Sequence, residues 1–175
     1  MSMDKLQLTP KCYQALTLAK KYAQRFKSSY VTSDHIFLGI LDLDGSTACL
    51  ILEQTGLNLK TVKQQICKLL KDQSSHMTES VKLSDIGFSP KTSRIITSSG
   101  IHARKLQEDV IGTHHLILGI LDEKDGLCID IFDRLDVNVP EFKNKVYNIL
   151  DIAREEDTDS LEPEFHGATS EVDSI

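Results

Sequence analysis

The side chains able to do chemistry are few and poorly grouped. His114 and His115 stand side by side, and with Cys128 they supply the donor types of a metal centre. Neighbours on a helix point about 100° apart, which is poor chelating geometry. His115, and His35 that matches it 80 positions earlier, therefore read as buried or capping residues near a helix start, with no metal and no cofactor. The cysteines Cys12, Cys49, Cys67 and Cys128 form no CxxC pair and no zinc-finger spacing. Each lies among apolar neighbours, as small buried hydrophobes do. None of the nine glycines belongs to a GxxxxGK[ST] phosphate loop, and the sequence contains no GxSxG, HExxH or GxGxxG. The signatures of the common catalytic classes are missing, and the chain is read as a non-enzyme.

Asp34 is the more informative acid. It falls in the first turn of an apolar helix, where a carboxylate stabilises the helix dipole by about 0.3–1 kcal/mol. The same carboxylate suits a cationic ligand group. Amides and hydroxyls at the start of the first helix, near Thr9, suit an anionic one.

The elements that carry these residues come in two copies. Shifted by 80 positions, Val31-Thr-Ser-Asp-His-Ile-Phe-Leu-Gly-Ile-Leu-Asp42 falls on Ile111-Gly-Thr-His-His-Leu-Ile-Leu-Gly-Ile-Leu-Asp122, with six of the twelve identical. Thr9-Pro10-Lys11 falls on Ser89-Pro90-Lys91, Asn58 on Asn138, Lys63 on Lys143 and Leu70 on Leu150, without a gap. A repeat at fixed spacing is the signature of a duplicated unit.

Each copy predicts four helices. The first opens at Thr9-Pro10 or Ser89-Pro90, a hydroxyl cap followed by a proline that forfeits no hydrogen bond. Ala15, Ala19, Tyr22 and Phe26 follow at helical spacing, as do Ile95, Ser99, His102 and Leu106. The second starts with Ser33 or Thr113 as N-cap, ends near Asp42 or Asp122, and is apolar nearly all round, hence central. Gly39 and Gly119 inside it predict a close helix crossing. The third covers Thr47–Gln54 and Leu127–Arg134, with Gly56 as a left-handed cap. The fourth runs from about Lys60 to Lys71 and from Pro140 to Ala153. Val62, Ile66 and Leu69, and Phe142, Val146 and Ile149, are expected to face inward. Repeat one thus spans about 8–71, a polar Ser-rich linker 72–87 with one short ordered turn, and repeat two about 88–153.

Of the net charge of −6, residues 1–150 carry +2 and the rest −8. The acidic segment 154–175 is interrupted by Pro163 and Gly167 and is expected to be disordered. No concentrated basic face suggests nucleic acid. No apolar run approaches the length of a membrane span, and Met1–Lys5 lacks the pattern of a secretory signal. A soluble, cytoplasmic protein in a reducing compartment is expected.

The Thr/Ser-Pro openings, Ser33-Asp34-His35-Ile-Phe-Leu-Gly-Ile-Leu, Gly112-Thr113-His114-His115-Leu-Ile-Leu-Gly-Ile-Leu and Gly56-Leu57 resemble the Clp repeat of ClpA- and ClpC-type unfoldases, over residues 6–152. The usual core of that family reads Gly-Thr-Glu-His before an apolar Leu-Gly-Leu stretch. The resemblance implies an all-α fold, a pseudo-twofold bundle of two tandem four-helix repeats that docks adaptors and substrates. In ClpC-type members the Glu of that core and the hydroxyl residue opening helix one bind phosphorylated arginine, once per repeat. Carried over, site one uses Thr9 and Asp34, and site two uses Ser89 and His114. Asp34 is one methylene shorter than Glu. The His114 imidazole lacks the carboxylate charge, so the second site is expected to be weak or lost. With no ATPase module in the sequence, the chain is expected to be free-standing. It would then be an accessory or adaptor subunit whose partners are Clp ATPase or Clp peptidase subunits, adaptors or substrates, in the cytoplasm or a plastid stroma. The alternative is a receptor for phosphoarginine or degradation-tagged proteins.

Overall fold

The computed structural model describes residues 7–124 and 126–160. In chain order the elements are α1 (Pro10–Arg25), β1 (Tyr30–Val31), α2 (Ser33–Leu41), α3 (Thr47–Gln54), α4 (Leu59–Ser74), a 3-10 turn (Leu83–Asp85), β2 (Gly87–Phe88), α5 (Pro90–Lys105), α6 (Thr113–Leu121), α7 (Leu127–Arg134) and α8 (Val139–Ser160). The predicted four helices per repeat are present. The side-chain hydroxyls of Thr9 and Ser89 accept from the amides of Cys12 (3.1 Å) and Thr92 (3.2 Å), ahead of Pro10 and Pro90.

Every residue of α2 and of α6 is buried, because helices apolar on all sides have no face for water. The two pack on one another, with α1 and α3 also against α6, and α7 also against α2. Phe37 of α2 meets Phe132 of α7 edge to face, with centroids 6.0 Å apart. The core is therefore one body shared by both repeats. The glycines show why α1 can lie so close to α2. A Cβ on Gly39 would sit 2.3 Å from the Ala15 carbonyl oxygen, and one on Gly119 would sit 2.4 Å from Ser99 Oγ and 2.7 Å from the Ile95 carbonyl oxygen.

Two short strands were not foreseen. β1 and β2 pair in parallel, Tyr30 with Gly87 and Val31 with Phe88. The equivalent bridge joins Leu8 to Ile111, with Thr9 N–H donating to the Ile111 carbonyl (3.0 Å) and Ile111 N–H to that of Gln7 (2.9 Å). Each repeat thus lends the strand before its first helix to the strand before the other repeat's second helix.

Matching polar staples hold each fourth helix. In repeat one Tyr22 donates to Asp42 Oδ2 (2.5 Å), and Lys63 bonds the other oxygen. In repeat two the aspartate is Asp122, bonded by His102 (2.6 Å), Ser98 (2.7 Å) and Lys143, while Tyr147 bonds the far side of the His102 ring.

Three expectations need correction. In α4 the inward residue is Leu70, with Leu69 only half-buried, because the stripe from Val62 and Ile66 continues at four-residue spacing. The N-caps of α2 and α6 are Thr32 and Gly112, one residue before Ser33 and Thr113. The acidic segment is helical through Ser160. Glu155 and Glu156 favour helix, and the first breaker is Pro163. Residues 161–175 of that segment lie outside the described residues.

Candidate functional site

The site is built around the starts of α2 and α6. Thr32 N–H donates to His35 Nδ1 (3.0 Å), and Gly112 N–H donates to His115 Nδ1 (2.9 Å). The shared histidine therefore closes the first turn from the third helical position, as Glu or Gln does in a capping box. That is why the N-cap falls one residue earlier than the hydroxyls alone suggested. The serine and threonine there are free for other work: Thr113 Oγ1 accepts from Ala48 N–H (3.2 Å) at the start of α3, in the opposite repeat.

Asp34 makes the reciprocal contact. Its Oδ1 accepts from Cys128 N–H (3.0 Å) at the start of α7, and the residue is only 7 % exposed. The N-cap of α7 is Gly126, which offers no side chain, whereas α3 has Ser46, accepting from Cys49 N–H (3.3 Å). Asp34 thus stands in from across the interface for a cap that repeat two lacks. The missing cap is written in the repeat, since Gly126 occupies the position of Ser46, but the residue that replaces it is not.

The structure redistributes the four sequence-derived residues. Thr9 is buried and strand-bonded to Ile111, at the start of α6. The start of α5, opened by Ser89, is tied to the start of α2 by Thr92 Oγ1 donating to the Val31 carbonyl (2.6 Å). Helix-one starts and helix-two starts therefore meet across the repeats. His114 is 7 % exposed, and its Nε2 lies 3.0 Å from Glu108 Oε2.

Glu108, Gln107 and Asp109 form the turn after α5, where repeat one has Lys27, Ser28 and Ser29. The Glu108 carboxylate lies against Nε2 of both His114 and His115, whose rings are 3.9 Å apart. Burial alone would raise the Glu108 carboxyl, but the bonds from His114 and His115 outweigh it and hold it down at about 2. His115 is pushed down to about 4, first by burial.

Glu108, His114 and His115 have donor atoms within 4.8 Å of one another, the arrangement closest to a metal centre among the described residues. Proton count argues against it. His115 Nδ1 already accepts from a main-chain N–H, so Nε2 carries the ring proton and has no lone pair for a cation. Metal-bound histidines use the opposite pattern, donating from the second nitrogen. Cys128 is no ligand either: its thiol is raised well above the ordinary range by burial and then by the adjacent Asp34. No sequence motif pointed to Glu108.

Repeat one keeps an open groove of about 700 Å³ at the matching place. Phe26, Tyr30, Leu70, Met77 and Val81 supply its apolar wall, and Lys27, Thr32, Asp34 and His35 its polar one. The linker closes one side, held by Lys27 Nζ donating to the Met77 carbonyl (2.8 Å) and Gln24 Nε2 to that of Val81 (3.2 Å).

The described residues thus form a bundle of two four-helix repeats with interleaved caps and a half-open groove on repeat one. The family model described as the Clp repeat (R) N-terminal domain matches residues 7–124 and 87–172, and the chain belongs to that family. A probable ATP-dependent Clp protease ATP-binding subunit of Chlamydia pneumoniae is 27 % identical over 143 residues, 82 % of this chain and 16 % of its own length. ClpC of Staphylococcus aureus is 26 % identical over 143 residues, 82 % of this chain and 17 % of its own length. The chain therefore spans about a sixth of the curated relatives it matches. The N-terminal domain of ClpD from Arabidopsis thaliana superposes with a TM-score of 0.65 at 18 % identity, covering 86 % of this chain and 97 % of that one. A ClpV N-domain solved in complex with a VipB peptide superposes with a TM-score of 0.64 at 20 % identity, covering 86 % and 92 %. These likenesses establish the all-α tandem-repeat fold. No helix among the described residues is long and apolar enough to cross a membrane.

Proposed function

We propose that the chain is a non-catalytic docking module, an accessory or adaptor subunit of a Clp chaperone–protease system, working in the cytoplasm or a plastid stroma. The observation that carries this reading is the repeat-one groove, whose apolar wall and polar floor suit a segment of another protein. Its occupants would be segments of Clp ATPase or peptidase subunits, adaptors or substrates. The relatives that share the fold are Clp ATP-binding subunits, and one N-domain of like fold was solved with a partner peptide. Co-purification from the native cell tests it: recovery of a Clp ATPase or peptidase subunit is expected, and recovery of neither contradicts it.

A second reading, a receptor for phosphoarginine or degradation-tagged proteins, is favoured by the carboxylate of Asp34 on the groove wall. Asp34→Ala is a poor test, because it also removes the cap of α7. Asp34→Asn keeps the accepting Oδ1 and removes only the charge. Saturable phosphoarginine binding that Asp34→Asn abolishes supports this reading; binding unchanged by it, or none at all, rejects it.

A further inference from the structure

A main-chain N–H only donates, so a ring nitrogen that accepts from one must carry a lone pair. That places His35 and His115 in the same tautomer, with the proton on Nε2. In repeat two the Glu108 carboxylate lies against this nitrogen, although the geometry is not that of a hydrogen bond. In repeat one the equivalent of Glu108 is Ser28, whose hydroxyl donates to the Tyr30 carbonyl (2.7 Å). His35 Nε2 is left buried with no hydrogen-bond partner, in a residue 2 % exposed. A buried N–H without an acceptor is costly, and repeat two offsets that cost by setting a carboxylate beside the ring. Burial holds His35 at about 4, so the ring is neutral and able to donate at neutral pH.

Ser28 and His35 both line the open groove. An oxygen held over Ser28 would stand to His35 as the Glu108 carboxylate stands to His115. Asp34 lines the same groove. With Glu79 it outweighs the one fixed cation of the lining, Lys27, so the groove disfavours a carboxylate or phosphate and favours a neutral oxygen carried next to a basic side chain.

We propose that His35 Nε2–H is a recognition donor in the repeat-one groove, taking the main-chain carbonyl of a bound, extended, basic protein segment. Glu108 is the built-in substitute for that oxygen in repeat two. The proposal rests on the docking reading for the role of the groove, but not on the identity of the partner.

The test is a titration of the full chain with Nα-acetyl-arginine amide, followed through the imidazole ¹⁵N resonances. A saturable shift at His35 is expected. Ser28→Gln, which offers a neutral oxygen from within the chain, should weaken that binding at least tenfold. Two further probes, inorganic phosphate and Nα-acetyl-glutamate amide, keep the test decisive on the wild-type chain if the variant fails to fold. No shift at His35, a stronger response to either anion, or unchanged binding in a folded Ser28→Gln overturns the proposal. Clp subunits that still co-purify after such a result leave the docking reading standing. A positive titration without Clp co-purification leaves the donor role standing and removes the partner.

Discussion

The two repeats answer one structural problem in two ways. Each begins its second helix with a histidine that caps the main chain through Nδ1 and buries an N–H on Nε2. Repeat two sets the Glu108 carboxylate against that nitrogen and stacks His114 beside the ring. Repeat one has Ser28 and Asp34 at those positions, sets no carboxylate from the turn against the ring, and keeps a groove beside it. The frame is common because the buried helices require it. The surface chemistry has moved a carboxylate from the helix to the preceding turn. A duplicated scaffold therefore need not give duplicated sites.

The largest effect expected is on acid stability, and it separates what the repeats share from what they do not. His35 and His115 both sit near 4 when folded, below the ordinary 6.5. The unfolded chain binds more protons between these values, so stability is full above about pH 6.5 and falls as the pH drops toward 4. Two such shifts amount to about 3 kcal/mol each. Glu108 is held near 2, below its ordinary 4.5, so its contribution is present above 4.5 and is lost as the pH falls toward 2. Urea unfolding at a series of pH values checks this. A stability that is flat from pH 7 to 4 would mean that neither ring is held neutral by burial.

Next come the helix crossings. Gly39→Ala places a methyl against a main-chain oxygen and should cost about 3 kcal/mol. Gly119→Ala should cost less, since one of its two closest contacts is Ser99 Oγ, which can rotate. Equal losses by denaturant unfolding would show that the two crossings relax alike.

Glu108→Ser should cost about 2 kcal/mol, because it strips an acceptor from two buried imidazoles. Ser28→Gln should cost nothing or stabilise slightly. A loss on both sides would break the idea that one repeat is filled and the other open.

The smallest difference lies in the crossed caps. Asp34→Ala should cost about 1–2 kcal/mol and Thr113→Ala about half that, since α3 keeps Ser46 while α7 has only Gly126. Thermal unfolding of the two variants side by side resolves this.

What could be read in advance follows the range of the interactions. The helices, the proline openings and the glycine crossings are written in periodicity and small-residue placement, which act within a few turns. The β1–β2 pairing was invisible because two residues carry no alternation. The crossed caps were invisible because Asp34 and Cys128 are 94 positions apart. The extra turns of α8 were hidden by an acidic composition that reads as unfolded, although its glutamates are good helix formers. At the site, the capping role of His35 and His115 was legible from their recurrence. Glu108 was not, since only folding brings that turn onto the start of α6.

The most direct test of unequal repeats is to follow the imidazole resonances of His35 and His115 in one sample, the full chain at neutral pH, during titration with Nα-acetyl-arginine amide. The resonances of His35 should move and saturate while those of His115 stay fixed. Equal movement of both, or movement of His115 alone, would contradict the claim that repeat one holds the open site and repeat two has filled its own.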